Sequence, residues 1–107
     1  MKFKKTKIAG VYLIKPTPFK DKRGMFRRNF CKREFIKNKI TNKVEQANIS
    51  ENKFKYTLRG FHYQTGGHKE GKTLSCLVGE IYDIVVDLRK SSKTYKKWIS
   101  FKLNDKN

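Results

Sequence analysis

Lys72-Thr73-Leu74-Ser75-Cys76-Leu77-Val78-Gly79-Glu80-Ile81-Tyr82-Asp83-Ile84-Val85-Val86-Asp87-Leu88 is a pair of apolar runs hinged on a Gly-Glu dipeptide. Short runs rich in Ile, Val, Leu and Tyr read as strands, and a two-residue link containing glycine suits a tight turn. The sequence therefore predicts a hairpin of 72–78 with 81–88. With Gly79-Glu80 as the turn, Val78 faces Ile81, Cys76 faces Asp83 and Lys72 faces Asp87, because paired positions keep a constant sum. Lys72, Asp83 and Asp87 then share one sheet face. A carboxylate there would hold Lys72 protonated and aimed, and the same register also describes an exposed ion pair on a solvated face.

The pattern continues outward in both directions. Strands are expected at 11–14, stopped by Pro16 and Pro18, at 43–50, at 57–64 and at 98–103. Asp21-Lys22-Arg23-Gly24 has turn chemistry, and 25–30 resumes an extended pattern with Phe26 and Phe30 on one face. One short helix is expected, at 31–38. Residues 52–56 and 90–95 read as loops, and Thr65-Gly66-Gly67-His68-Lys69-Glu70-Gly71 is too glycine-rich for regular structure. Many short strands with one helix make an all-β barrel or sandwich. A closed antiparallel barrel needs more strands than these, so open edges are expected and the chain reads as the front part of a larger fold.

A chain of 107 residues is one domain, 1–107, with a modest core. Its formal charge of +18 invites a nucleic-acid reading. The distribution argues for a solvated lysine surface instead. Lysines recur singly from Lys2 to Lys106, and arginine, the better fork for phosphate and bases, is confined to Arg23, Arg27, Arg28, Arg33, Arg59 and Arg89. No specific nucleic-acid partner is expected. Cys31 and Cys76 stand at no disulfide-framework or zinc spacing, and no apolar run has the length of a signal peptide core or a membrane span. A cytoplasmic protein without a membrane partner is the expectation.

The residues with the most chemistry lie in Thr57-Leu58-Arg59-Gly60-Phe61-His62-Tyr63-Gln64, followed after the glycine-rich loop by Lys72. Histidine titrates nearest neutral pH and can take a proton at working pH, while an ammonium stabilises an enolate as it forms. Together they suit proton abstraction beside a carbonyl. Taken singly, His62 also reads as a polar residue on a half-buried strand and Lys72 as the end of the next one.

Ile8-Ala9-Gly10-Val11, Asp21-Lys22-Arg23-Gly24-Met25-Phe26, Gln46-Ala47-Asn48, Leu58 through Gln64, Lys72, and Val86-Asp87-Leu88-Arg89-Lys90-Ser91-Ser92 with Thr94 and Trp98 occur in a telling order. In that order the chain resembles the dTDP-4-dehydrorhamnose 3,5-epimerases. The resemblance implies a cupin-like jelly roll of which this chain is roughly the front three-fifths. It also implies a reaction: a nucleotide-linked 4-keto-6-deoxy sugar loses protons at the carbons flanking its ketone and regains them on the opposite faces. His62 matches the general base, Lys72 the lysine that stabilises the enolate, and Arg59 the pyrophosphate ligand. Arg23, Phe26, Gln46 and Asn48 match positions lining the nucleotide-sugar site. Alternation would put Arg59 and His62 on opposite faces, so Gly60 is expected to mark a bulge that re-aims one of them.

The same resemblance implies no cofactor, and His62 and His68 lack the ligand cluster that a metal cupin would need. It implies a homodimer in which the N-terminal region crosses to the partner, so that Arg23 and Phe26 serve the other subunit's site. Two departures stand out. Arg28 replaces a common glutamate, which bears on which sugar or base is accepted. The family's acid tyrosine falls beyond residue 107, so a weak or inactive enzyme is expected of this chain alone. A nonenzymatic nucleotide-sugar binder is the second reading, and a basic nucleic-acid module the third.

Overall fold

The computed structural model describes residues 1–40 and 43–106. Along the chain it contains β1 (Lys2–Lys5), β2 (Tyr12–Lys15), β3 (Phe19–Asp21), β4 (Gly24–Phe26), α1 (Lys32–Lys37), a single 3-10 turn at Gly66–His68, β5 (Glu80–Val86) and β6 (Trp98–Asn104). The regular structure is strand with one short helix, so the all-β class holds. Among the described residues the strands pair as three antiparallel two-stranded sheets, β1-β2, β3-β4 and β5-β6.

The N-terminal hairpin forms because its turn is self-satisfied. The Val11 amide donates to the Ile8 carbonyl at 3.1 Å, and the Thr6 amide to that of Val11 at 3.2 Å. Gly10 takes the positive φ of +83° that the turn requires. The β3-β4 turn uses the expected Asp-Gly chemistry: the Asp21 carboxylate accepts from the Arg23 amide at 2.9 Å, and Gly24 has a φ of +133°. Helix α1 falls inside the expected 31–38. It ends where Asn38 turns its side-chain amide back to the Glu34 carbonyl at 2.8 Å. Its apolar face is Phe35, 2% exposed, which meets the edge of Phe3 from β1 at 5.5 Å between ring centroids and Phe30 at 4.8 Å. The Met1 amine pairs with Glu34 of the same helix at 2.6 Å. Helix and first strand thus form one small aromatic core.

The expected hairpin of 72–78 with 81–88 does not form. β5 instead pairs with β6 over seven residues, from Glu80 opposite Asn104 to Val86 opposite Trp98. This register puts Ile81 against Leu103 and Val85 against Ile99, cross-strand apolar pairs that outweigh the local turn. Gly79 does bend the chain, with a φ of +81°, yet Val78 beside it is 87% exposed. The expected strands 43–50 and 57–64 likewise carry no strand pairing, and β1 and β3 are strands where none was expected.

A clasp built on Asp87 closes the long β5-β6 connection. Its carboxylate, 3% exposed as a residue, accepts from Arg89 Nε at 2.8 Å and Nη2 at 2.9 Å, from Ser92 Oγ at 2.6 Å and from Thr94 Oγ1 at 2.7 Å. Arg89 Nη2 also donates to the Ala9 carbonyl at 2.9 Å, which ties the first hairpin to the last. These donors, the Arg89 guanidinium foremost, hold the Asp87 carboxyl well below the usual carboxylate range. Because the folded-state value is depressed, the stabilisation is complete above the unfolded value of about 3.9 and is lost as pH falls below it. Asp87→Ala is expected to lower Tm by roughly 10 °C at neutral pH. Below about pH 4 the gap between variant and parent should narrow, as thermal melts at a series of pH values would read.

Candidate functional site

The segment 57–64 that carries the candidate base has no regular structure and is open to solvent. Tyr56, just before it, has a φ of +64°, and the Thr57 hydroxyl donates to the Phe54 carbonyl at 2.8 Å, so a tight local turn sets its start. Gly60 has a φ of +112°, and a Cβ built there would make only ordinary contacts, with His62 Cδ2 at 3.7 Å and the His62 amide nitrogen at 3.8 Å. Conformation and not crowding is therefore what requires glycine. The bulge expected at Gly60 does not form, because 57–64 has no paired strand to be bulged against. Arg59 and His62 are both exposed, and neither makes a hydrogen bond or ion pair with another described residue. Their polar atoms are open to a ligand.

Lys72 is placed differently from its expected setting. Its Nζ pairs with Glu70 Oε1 at 2.9 Å, across Gly71 in the glycine-rich loop. Asp83 and Asp87 are not its partners. Asp83 stands opposite Phe101 in the β5-β6 ladder, and partial burial raises its carboxyl above the ordinary value. Asp87 is taken up entirely by its clasp. The Lys72–Asp87 register fails because 72–78 lies off the β5 ladder, which leaves Glu70 as the carboxylate that holds this ammonium. Two charged residues separated by a single glycine were the available signal for it.

The remaining candidates fall into two local arrangements. Gln46 and Asn48 lie two apart on extended chain, and the Asn48 amide reaches Gln46 Oε1 at 3.5 Å, consistent with side chains on one side of the backbone. Arg23 is held in the β3-β4 turn by Asp21, with Nη2 to Oδ2 at 2.6 Å, while its side chain stays 82% exposed. Phe26 sits across the same ladder from Phe19. Both line a groove of about 270 Å³ together with Met1, Thr17, Arg28 and Glu34. Arg28, the acid-to-base departure, is tied to Glu34 at 3.1 Å, so its charge is partly answered from α1. Glu34 was not anticipated as a groove residue. Apart from the Gln46–Asn48 contact, no hydrogen bond or ion pair joins the expected site residues to one another.

Among the described residues no group of three or more His, Cys, Asp or Glu side chains is gathered as a metal site would require, and no helix is long and apolar enough to cross a membrane.

With this arrangement in view, similarity to known proteins is decisive. The family model for dTDP-4-dehydrorhamnose 3,5-epimerase matches residues 5–107. The dTDP-4-dehydrorhamnose 3,5-epimerase of Shigella flexneri is 39% identical over 104 residues, which cover 96% of this chain and 57% of the relative. The crystal structure of the Elizabethkingia anophelis enzyme of that name superposes with a TM-score of 0.91 at 37% identity, covering 100% of this chain and 58% of that one. The Bacillus anthracis enzyme, solved with TDP and PPi bound, gives a TM-score of 0.94 at 33% identity over 99% of this chain and 61% of its own. This chain thus spans somewhat more than half the length of the relatives it matches, and it shares their fold over that span. It belongs to the dTDP-4-dehydrorhamnose 3,5-epimerase family.

Proposed function

We propose that this chain carries the base-side half of a 3,5-epimerase site acting on a dTDP-linked 4-keto-6-deoxy sugar. The observation that carries the reading is the match over residues 5–107, which contains the exposed Arg59 and His62 and the ion-paired Lys72 on a backbone shared with a relative that binds TDP and PPi. In this reading neutral His62 takes the proton from a carbon flanking the ketone. The electron pair of that C–H bond moves to the keto oxygen, and the Lys72 ammonium stabilises the enolate. Glu70 restrains the ammonium through their ion pair. Arg59 engages the pyrophosphate with its planar guanidinium, while Gln46, Asn48, Arg23 and Phe26 line the nucleotide-sugar site.

Return of the proton on the opposite face needs an acid, and no tyrosine of this chain matches the one that serves the family. Proton removal without efficient inversion is the activity expected of the chain by itself. The setting that fits is a cytoplasmic, cofactor-free and metal-free homodimer with a cupin-like jelly roll, supplying deoxysugars for surface polysaccharide. In that dimer Arg23 and Phe26 face the partner's site.

Binding tests the phosphate assignment. Arg59→Ala is expected to weaken affinity for a dTDP-sugar about tenfold or more in calorimetric titration, since a charge-assisted bidentate contact exceeds ~1.4 kcal/mol. Unchanged affinity would remove Arg59 from the site.

A further inference from the structure

We infer that the pocket between the first hairpin turn and the β5-β6 connection is a binding site for a phosphate dianion, carried on a small phosphomonoester. Its walls come from residues 7–9 and 89–94, which the chain's own Arg89–Ala9 hydrogen bond ties together. It shares no residue with the groups assigned to proton transfer or to the nucleotide sugar.

The pocket contains an anchored cation. Arg89 lines a cavity of about 410 Å³ and is fixed from two sides, by Asp87 through Nε at 2.8 Å and Nη2 at 2.9 Å, and by the Ala9 carbonyl at 2.9 Å. Its Nη1 donates to no other described residue. One nitrogen of a pre-organised guanidinium is therefore open to a ligand. On the same short connection the amides of Lys90, Ser91 and Lys93 and the Ser91 hydroxyl also donate to no other described residue. The Ser92 and Thr94 hydroxyls, by contrast, are taken up by Asp87 at 2.6 and 2.7 Å and hold the wall in shape.

Charge selects the ligand. Lys7 from the hairpin turn and Lys93 from the connection line the same cavity, and no acidic residue does. Neither lysine pairs with a described carboxylate. Asp87 balances Arg89, so the two ammonium charges stand unanswered and a ligand with two negative charges would balance them. A phosphate monoester carries about −1.5 to −2 at pH 7 and three acceptor oxygens, which suit a guanidinium nitrogen and two lysines at once. A carboxylate or a phosphodiester brings a single charge. The cavity volume falls within the roughly 300–1,000 Å³ of small-molecule sites, which leaves room for the group that the phosphate esterifies. A ligand held by both Lys7 and Lys93 would bridge the first hairpin to the last connection and stabilise the fold by linkage.

The test titrates the protein with inorganic phosphate, glucose 6-phosphate and dimethyl phosphate at constant ionic strength, read by thermal melts and by amide NMR. Phosphate and glucose 6-phosphate are expected to raise Tm saturably, by roughly 5–10 °C at about tenfold above Kd, and to move the amide signals of 89–94. Dimethyl phosphate, with one charge, should bind about tenfold more weakly or worse. Lys7→Gln with Lys93→Gln should abolish the rise. Lys32→Gln with Lys37→Gln, which lowers the net charge equally on α1, should keep it. All four lysines are exposed, so each double variant should melt within about a degree of the parent in chloride. A rise that survives without Lys7 and Lys93, or that both double variants lose equally, would reflect diffuse attraction to a chain of charge +18 and overturn the inference. So would a rise that Arg59→Ala abolishes, because the phosphate would then occupy the nucleotide-sugar site. Equal binding of dimethyl phosphate would refute the dianion, and exclusion of glucose 6-phosphate would refute the phosphomonoester.

Discussion

His62→Gln is expected to slow solvent-deuterium entry into a dTDP-linked 4-keto-6-deoxy sugar by ~10²–10⁴-fold, the range that a positioned general base supplies. Glutamine keeps hydrogen-bonding capacity and comparable size but cannot take the proton. The comparison is informative because His62 is exposed and bonded to no other described residue, so Tm should stay within about a degree of the parent. A matching fall in activity and Tm would mean that the substitution acted through folding. Lys72→Met should also slow exchange, by removing the charge that stabilises the enolate. Glu70→Gln should have a smaller effect, since it loosens the ammonium without removing it.

Phe35→Ala is expected to cost ~3–5 kcal/mol of folding stability. Phe35 is 2% exposed and is the largest fully buried side chain, with Phe3 and Phe30 against its ring. Few other residues can compensate: among the described residues the other buried apolar side chains are Ile8 and Cys76. Chemical denaturation would read the change as a lower midpoint. Phe35→Leu should recover much of the loss, because it restores most of the volume while giving up the aromatic contacts. Equal losses for Ala and Leu would show that ring geometry, more than burial, holds α1 on β1.

The sequence was legible where local chemistry decides the structure. Asp21 through Gly24 made its turn and 31–38 its helix, since each depends on neighbours within a few residues, and 98–103 took the strand that its apolar pattern announces. Reading failed where a strand's partner lies far away. The Gly79-Glu80 link looked like a hairpin turn, yet β5 found a better register with β6 across a connection held by Asp87, Arg89, Ser92 and Thr94. That clasp was visible as an Asp-Leu-Arg-Lys-Ser-Ser string, but its hydrogen bonds were not. Segments 43–50 and 57–64 have strand composition and lack paired strands, because composition specifies the pleat and tertiary contact supplies the ladder.

The residue types and their order carried the family resemblance that the 5–107 match bears out. Partners were less legible. Expecting Asp87 beside Lys72 followed from the wrong register, and the Glu70–Lys72 ion pair depends on side-chain placement across Gly71 that residue order does not specify.

The central claim is that His62 and Lys72 remove a proton beside the ketone while no acid in this chain returns one on the far face. Incubating the 107-residue protein with dTDP-4-keto-6-deoxyglucose in deuterated water, and following the C3 and C5 positions by proton NMR, tests it most directly. The account expects deuterium to replace the proton with retained configuration, in a reaction that His62→Gln suppresses. Rapid inversion at both carbons, or no exchange at either, would contradict it.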